Sequence, residues 1–381
     1  MYQDRERLDA LMAAEIEVFR AARGASLAEF AKAAEHLPDG VPMLWMAKWP
    51  GPWPVYVAEA SGAHFTDLDG IDHVDLCLGD TGAMCGHAPA ASVAVLQAQL
   101  AHGSTFMLPT TAAAKAGALL AERFGLPQWQ FTLSATDANR ALIRYARHVT
   151  GRPKILVHDF SYHGTVDETF ATLDADGSVI ARRGNIGAPV PLSQTTAVVP
   201  FNDVPALEAA LATGEIAAVL IEPALTNIGI VLPDAGYLAA VREACTRHGA
   251  ILIHDETHTL CAGPGGYTAE HGLAPDAIVL GKTIGGGIPA AALGMSREFA
   301  DRVATSIELE DIDVGGVGGT LAGNALSLAG IVATLGEVLT PEAYGSMVDR
   351  ATEWTVGVQA AIDEFEVPWQ VTQLGARAEY S

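Results

Sequence analysis

Two short apolar segments of this chain each end in a cluster of polar residues. Residues 251–253 lead into His254-Asp255-Glu256-Thr257-His258, and residues 277–280 lead into Gly281-Lys282-Thr283. Short apolar runs bounded by loop residues are typical of buried parallel strands. Ligands of open α/β sheets bind just beyond the carboxyl ends of such strands, so Asp255 and Lys282 are predicted to converge on one ligand.

The pairing of this lysine with this aspartate indicates pyridoxal 5'-phosphate (PLP). A lysine amine can hold an aldehyde as a Schiff base, and a buried carboxylate can keep a pyridine nitrogen protonated so that the ring accepts electrons. Lys282 follows a buried run and precedes three glycines, residues 285–287, where backbone can approach a ligand closely. A lysine at a strand end commonly extends into solvent, so the Asp255 partner is what favours the functional interpretation.

Length and composition narrow the class of protein. A chain of 381 residues can bury a large core and is expected to form two domains sharing one site. Its net charge of −23 argues against nucleic acids and anionic membranes as partners. The four cysteines lack metal-ligand spacing, so neither a disulfide framework nor a metal site is expected. Polar residues interrupt the long apolar stretches and the N-terminus lacks a signal-peptide core, so a cytoplasmic enzyme is expected.

The first part of the chain, residues 1–69, is predicted to be an N-terminal arm and part of a small domain. A helical pattern extends to about residue 36, and a Pro-rich segment with several Trp and Met residues follows, between Met43 and Trp53. Such large apolar side chains need cover, either from the sheet domain or from a partner subunit. The arm either packs on the body of the protein or forms a wall of the substrate pocket. Residues 55–60 and 63–68 then predict a strand pair.

Strands and helices alternate through the middle of the chain, which indicates right-handed crossovers and a largely parallel sheet. Residues 70–320 are therefore predicted to form a large domain, with 171–194 as a surface excursion. Residues 321–381 are predicted to form a C-terminal small domain. The strands are expected at 129–133, 154–157, 196–199, 217–221, 250–254, 277–281 and 369–374, and the helices at 137–149, 204–212, 235–248, up to 338 and up to 363.

A candidate phosphate site lies between the first of these strands and its helix, at Ser134, Ala135 and Thr136. Their backbone amides and hydroxyls face a helix N-terminus, where a phosphate is favoured. An ordinary Ser/Thr helix cap is the alternative interpretation.

Seven motifs together resemble the class III, or subgroup II, aminotransferases, nearest to members like glutamate-1-semialdehyde aminotransferase. The resemblance implies PLP-dependent transferase fold type I: an α/β protein with a mostly parallel sheet in a large domain and a smaller α+β domain built from both chain ends. The motifs are residues 62–70, 134–138, 162–164, 222–223, 255–256, 281–282 and 319–324.

The resemblance also implies a role for each site residue. Lys282 would carry the cofactor, Asp255 would pair with its ring nitrogen, and residues 134–136 would bind its phosphate. Tyr162 would stack on the ring, where the alternative is a core tyrosine. Glu222 would order the pocket near the ring oxygen, and Thr257 stands where a Val is usual, which predicts a more polar surface under the ring. Thr320 would reach the phosphate of a neighbouring subunit, implying a homodimer with shared active sites; the alternative is a helix cap.

Three functional classes remain open from the sequence. The first is an aminotransferase that moves an amino group from an amine or amino acid to a 2-oxo acid, and the second is a 2,1-aminomutase or racemase of the same family. The third interprets residues 254–258 as ligands of a metal-dependent hydrolase, which leaves Lys282 without a role. Residues 41–46 lack the arginine that β-amino-acid transaminases place there, so we expect an apolar substrate or an arginine elsewhere. The family also continues past the position of Ser381, so the small domain is expected to be incomplete.

Overall fold

The structure is a computed structural model that describes residues 5–306 and 316–381. The chain divides into two compact units, residues 1–80 with 86–89 and residues 81–85 with 90–381. The division into domains at residues 70 and 320 stays a prediction.

The first unit contains two helices and a small antiparallel sheet. Its helices are α1 (Arg5–Ala22) and α2 (Gly24–Ala33), and its strands are β1 (Val57–Ser61), β2 (His64–Asp67) and β3 (Asp72–Val74). The predicted strand pair is confirmed, since β1 and β2 pair antiparallel, and β3 adds a third strand. Trp45 and Trp49 are 50% and 55% exposed, so the cover expected for the arm stays a prediction.

The second unit is built around a seven-stranded sheet. The strands of this unit are β4 (Gln128–Thr132), β5 (Lys154–His158), β6 (Ala171–Leu173), β7 (Val179–Ala181), β8 (Thr196–Val199), β9 (Ile216–Ile221), β10 (Ile251–Asp255), β11 (Ala277–Leu280), β12 (Ala291–Met295), β13 (Val371–Leu374) and β14 (Arg377–Tyr380). The order in the large sheet is β4-β12-β11-β10-β9-β5-β8. Among these seven strands β12 alone runs opposite to the others, so the predicted, largely parallel sheet is confirmed.

Helices cover both faces of this sheet, because alternate residues of the buried strands point to opposite sides. Leu142 and Phe299 pack with one set of strand residues, and Leu207 and Val241 pack with the other set. The helices of this unit are α3 (Ala90–Ala101), α4 (Thr111–Phe124), α5 (Ala135–Thr150), α6 (Val204–Leu211), α7 (Tyr237–His248), α8 (Gly266–Glu270), α9 (Arg297–Ser306), α10 (Ala325–Ala333) and α11 (Pro341–Glu364).

The topology brings three chain segments to one edge of the sheet. Asp255 is the last residue of β10, Lys282 follows the end of β11, and α5 begins directly after β4. These strands end on the same side, because β10 pairs parallel with β11 and the antiparallel strand β12 lies between β11 and β4. The convergence predicted from the two apolar runs is therefore present in the fold.

None of the helices within residues 5–306 and 316–381 is by itself long and apolar enough to cross a membrane. The segments Ala325–Val338 and Pro341–Glu364 pass that test only as a pair, across a bend of 72°.

Candidate active site

A cavity of about 270 Å³ lies at this edge of the sheet. Seven of the nine site residues predicted from the sequence line it together, whereas Glu222 and Thr320 do not. The seven are Ser134, Ala135, Thr136, Tyr162, Asp255, Thr257 and Lys282. The remaining lining consists of Leu133, Gly164, His258, Ile288, Pro289 and Ala290.

Asp255 is buried and its carboxylate accepts four hydrogen bonds. Asn139 Nδ2 and His163 Nδ1 each lie 2.9 Å from Oδ2, and Thr257 donates to Oδ1 from its hydroxyl over 2.6 Å and from its backbone N–H over 3.2 Å. Burial by itself raises the pKa of the Asp255 carboxyl. The hydrogen bond and charge of His163, with the Thr257 and Asn139 bonds, outweigh burial and lower that pKa below its ordinary value. Asp255 is thus held as a carboxylate.

Asn139 and His163 were not predicted as site residues. Both are buried, and each contacts Asp255 from more than 90 positions away in the chain. His163 could have been predicted from the sequence, because it lies next to Tyr162 in the motif of residues 162–164. Asn139 is a buried polar residue on the sheet-facing side of α5, and a polar residue in an apolar helix stripe could have indicated it.

Glu256 and Thr257, which follow Asp255 in the sequence, direct their side chains to different parts of the structure. Glu256 is fully buried and accepts hydrogen bonds from the backbone N–H groups of Tyr267 and Thr268, over 3.0 and 2.6 Å. It therefore caps α8 instead of lining the cavity. The hydroxyl of Thr257 donates a hydrogen bond to Asp255. The polar group expected at position 257 therefore has a specific partner.

Lys282 begins a short 3₁₀ helix with a positive φ of 51°. A residue with a Cβ is strained in this left-handed region, at a cost of order 1–3 kcal/mol, and such residues cluster at functional sites. Gly281 allows the close approach that this geometry needs, since a Cβ there would lie 2.9 Å from Ala135 Cβ. The Lys282 Nζ lies 2.7 Å from Nε2 of His258.

The N-terminus of α5 also lines the cavity, with Ser134, Ala135 and Thr136. Ser134 is its N-cap and accepts a hydrogen bond from Asp137 N over 3.2 Å, so the capping interpretation holds. The same residue lines the cavity, so capping and ligand binding are compatible. The first turn of a helix carries backbone N–H groups without intrahelical acceptors, and these favour an anion. Thr136 Oγ1 accepts from Thr165 N over 3.0 Å.

Tyr162 is held by Glu222. Tyr162 is 37% exposed and lines the cavity, and its backbone N–H donates to Glu222 Oε1 over 2.9 Å. The Thr226 hydroxyl donates to Glu222 Oε2 over 2.6 Å, and burial raises the pKa of this carboxyl. Glu222 therefore acts on the cavity through the backbone that carries Tyr162.

Thr320 lies on an exposed turn and does not line the cavity. Its expected contact is with a neighbouring subunit, so that role stays a prediction. The hydrolase interpretation of residues 254–258 does not fit the geometry: His254 Nδ1 pairs with Thr268 Oγ1 at 2.8 Å, whereas His258 faces Lys282. Within residues 5–306 and 316–381, no group of His, Cys, Asp or Glu side chains could hold a metal ion.

The cavity residues fit PLP by their chemistry. An ionised carboxylate, a lysine amine and a helix N-terminus line one cavity, and they match a ring nitrogen, an aldehyde and a phosphate. Gly164 allows close packing against the start of α5, since a Cβ there would lie 2.1 Å from Thr136 Oγ1.

The family profile described as aminotransferase class-III matches residues 45–375. The chain belongs to this family. A class-III aminotransferase is a PLP-dependent enzyme, and the chain shares the fold type I architecture of its solved relatives.

Individual class-III relatives carry different activity names. A protein of Anaeromyxobacter dehalogenans named glutamate-1-semialdehyde 2,1-aminomutase is 33% identical over 91% of this chain and 80% of its own length. A crystal structure of a glutamate-1-semialdehyde-aminomutase from Pseudomonas aeruginosa PAO1 is 46% identical, with a TM-score of 0.96 over 98% of this chain and 84% of that one. A lysine-to-alanine variant of that aminomutase was crystallised in complex with PMP. An omega-transaminase from Sphaerobacter thermophilus is 31% identical, with a TM-score of 0.84 over 94% and 82% of the two chains.

Proposed function

We propose that this class-III aminotransferase is a transaminase that moves an amino group from an amine or amino acid to a separate 2-oxo acid. The observation that carries the proposal is the cavity itself, in which Lys282 and Asp255 face a cluster of apolar residues, Leu133, Ile288, Pro289 and Ala290. No arginine is among the residues that line the cavity in the described part of the chain. This lining favours an amine with an apolar side.

Each polar residue has a distinct task in this proposal. The cofactor supplies an aldehyde and an electron-accepting ring. Asp255, held ionised by His163, Asn139 and Thr257, keeps a proton on the ring nitrogen. Lys282 would hold the aldehyde through Nζ until the amine of the substrate displaces it, and the freed Nζ would then accept the proton from the substrate Cα. Tyr162 would pack against the ring, and residues 134–136 would hold the phosphate at the start of α5.

Assembly and location belong to the same proposal. We expect a homodimer in which Thr320 reaches the phosphate bound in the partner, and we expect the enzyme in the cytoplasm. Two observations support the homodimer: the motif around Thr320, and the fact that members of the family are typically dimeric.

A 2,1-aminomutase is the second candidate, because relatives with that name include the one that is 46% identical. The two activities differ in whether a keto compound leaves the enzyme. An aminomutase must retain its intermediate, which calls for a lid and a pocket fitted to a small charged substrate.

A half-reaction separates the two candidates. Purified holoenzyme is mixed with a reactive amine and no acceptor, and the transaminase proposal expects one free keto product per site with conversion of the cofactor to its amine form. Pyruvate or 2-oxoglutarate should then restore the aldehyde form. The Lys282→Ala variant is the control and should release no product. Isomerisation of the substrate without free keto compound or acceptor would instead support the aminomutase.

A further inference from the structure

A chain of three basic side chains leads from the C-terminal hairpin to Lys282. Arg377 Nη1 lies 2.8 Å from His258 Nδ1, and His258 Nε2 lies 2.7 Å from Lys282 Nζ. Thr81 Oγ1 also lies 3.1 Å from His258 Nδ1. Three cationic or potentially cationic groups in a row would repel one another if all were charged, so their protons must be arranged in a specific way.

Arg377 determines that arrangement. A guanidinium is always protonated and can only donate hydrogen bonds, so His258 Nδ1 must accept. A neutral imidazole whose Nδ1 accepts carries its proton on Nε2. That N–H can only donate, so Lys282 Nζ must be the acceptor, and an amine accepts only when it is neutral. An ammonium at Lys282 would require His258 to accept at both nitrogens and thus to be an anion.

The position of Arg377 is fixed by its own contacts. Its Nε donates to Glu379 Oε1 over 2.7 Å and its Nη2 donates to the Thr226 carbonyl over 3.3 Å. The guanidinium is therefore neutralised by a carboxylate on the side away from His258. Its side chain is only 16% exposed, so solvent screens these interactions weakly.

The hairpin that carries Arg377 is tied to the segment that carries His258. Ala376 N donates to the Cys261 carbonyl over 2.9 Å, and Cys261 Sγ donates to the Leu374 carbonyl over 3.3 Å. Gly375, in the turn between β13 and β14, has a φ of 56°, and a Cβ there would lie 2.4 Å from the Cys261 carbonyl oxygen. The distance between Arg377 and His258 is thus set by backbone contacts on both sides.

We propose that His258 is a positioning residue that holds Lys282 as the neutral amine, and that Arg377 fixes the His258 tautomer needed for this. His258 acts through Lys282, whose lone pair is the group that attacks an aldehyde. The inference rests on the proposed function for the meaning of Lys282, whereas its proton arrangement is a property of the protein alone.

The first experiment reads the tautomer in the wild-type chain. Histidine labelled with ¹⁵N is incorporated, His258 is assigned from the signals lost in His258→Gln, and a two-bond ¹⁵N–¹H correlation spectrum is recorded without added cofactor. We expect a proton on Nε2 and none on Nδ1. A protonated Nδ1 would overturn the proposal, and the tautomer itself is read in the wild-type protein.

The second experiment measures how readily Lys282 reacts as a nucleophile. The cofactor-free chain is treated at neutral pH with a trace of a small acylating reagent, and modification of each lysine is quantified by peptide mass spectrometry. Lys154, which pairs with Glu215 at 2.8 Å, serves as the internal reference. His258→Gln and Arg377→Met should each slow Lys282 acylation about tenfold, the effect of losing one strong hydrogen bond. Wild-type rates in both variants would overturn the proposal.

Arg377→Lys is the conservative control, because it keeps a cationic donor that cannot accept. It should retain most of the wild-type acylation rate, whereas a loss as large as in Arg377→Met would contradict the donor role of residue 377. Failure of the proposed function gives a different result: the half-reaction with an amine would release no free keto product while the His258 tautomer stays as described.

Discussion

His163 Nδ1 lies 2.9 Å from Asp255 Oδ2, and neither side chain is accessible to solvent beyond 3%. The contact joins the loop after β5 to the end of β10, so two crossover connections meet at one carboxylate. A buried carboxylate with fewer donors would tend to take up a proton and lose its charge. The charge that the proposed chemistry needs therefore depends on residues that do not line the cavity themselves, His163 and Asn139.

Replacement of Asp255 by Asn tests the charge directly. Asn keeps the size and one hydrogen bond but removes the negative charge, so the variant should still bind PLP while kcat falls roughly 10- to 100-fold, the equivalent of one charge-assisted hydrogen bond. Steady-state kinetics and cofactor titration measure the two effects separately. Glu256→Gln is the matched control and should reduce stability more than turnover, since Glu256 caps α8. Near-normal turnover in Asp255→Asn would move the role to another group.

Gly164 offers a test of the cavity shape. A Cβ at Gly164 would lie 2.1 Å from Thr136 Oγ1, so Gly164→Ala should disturb the phosphate end and weaken PLP binding. Gly177→Ala is the control, because Gly177 also has a positive φ, 81°, but a Cβ there would meet nothing within 4 Å. Both variants should lose about 1–2 kcal/mol of stability to backbone strain. Only Gly164→Ala should also lose cofactor affinity, and equal affinities in the two variants would contradict the proposed phosphate site at residues 134–136.

Glu222 predicts a pH-dependent stability difference. Burial raises its pKa above the ordinary value of 4.5, so folding is favoured while the group is protonated, and this contribution is lost as pH rises from about that value through the folded pKa. Glu222→Gln removes the titration and should gain stability relative to wild type on going from pH 4.5 to 7.5, by roughly 1–3 kcal/mol. Denaturant unfolding at the two pH values measures the difference. A difference between Glu222→Gln and wild type that stays constant over the two pH values would refute the prediction.

Much of the sheet could be predicted from the sequence because its strands are continuous apolar runs. Residues 196–199 form a strand as predicted, and the strands ending at Asp255 and near Lys282 differ from their predicted bounds by about one residue. The predicted helix at 137–149 is α5, which begins earlier at Ala135. These elements could be predicted because the spacing of their apolar residues and the lengths of the apolar segments are visible in a single sequence.

Other elements could not be read from local patterns. β12 consists of Ala291-Ala292-Leu293-Gly294-Met295, and small residues without β-branching do not distinguish a strand from a helix. The second strand of the C-terminal hairpin, β14, was also missed, because Arg377 to Tyr380 is a short polar run. Arg377 was therefore not predicted as a site residue, although it contacts His258.

The site contacts depend on tertiary structure for the same reason. His258 was considered from sequence only as a metal ligand, since the direction of a side chain beyond a strand end is set by the following loop. In the structure that loop turns His258 toward Lys282 and Glu256 toward α8. The sequence was sufficient to predict which residue types meet at this edge of the sheet. The hydrogen bonds among them could be identified only from the three-dimensional structure.

Trapping the cofactor linkage tests the central claim most directly. Holoenzyme is reduced with borohydride and digested, and the peptides are mapped by mass spectrometry. A second sample, which receives PLP only after the reduction step, is the control for nonspecific labelling. The account predicts a pyridoxyl group on Lys282, in the peptide that follows β11. A pyridoxyl group on any other lysine would contradict it.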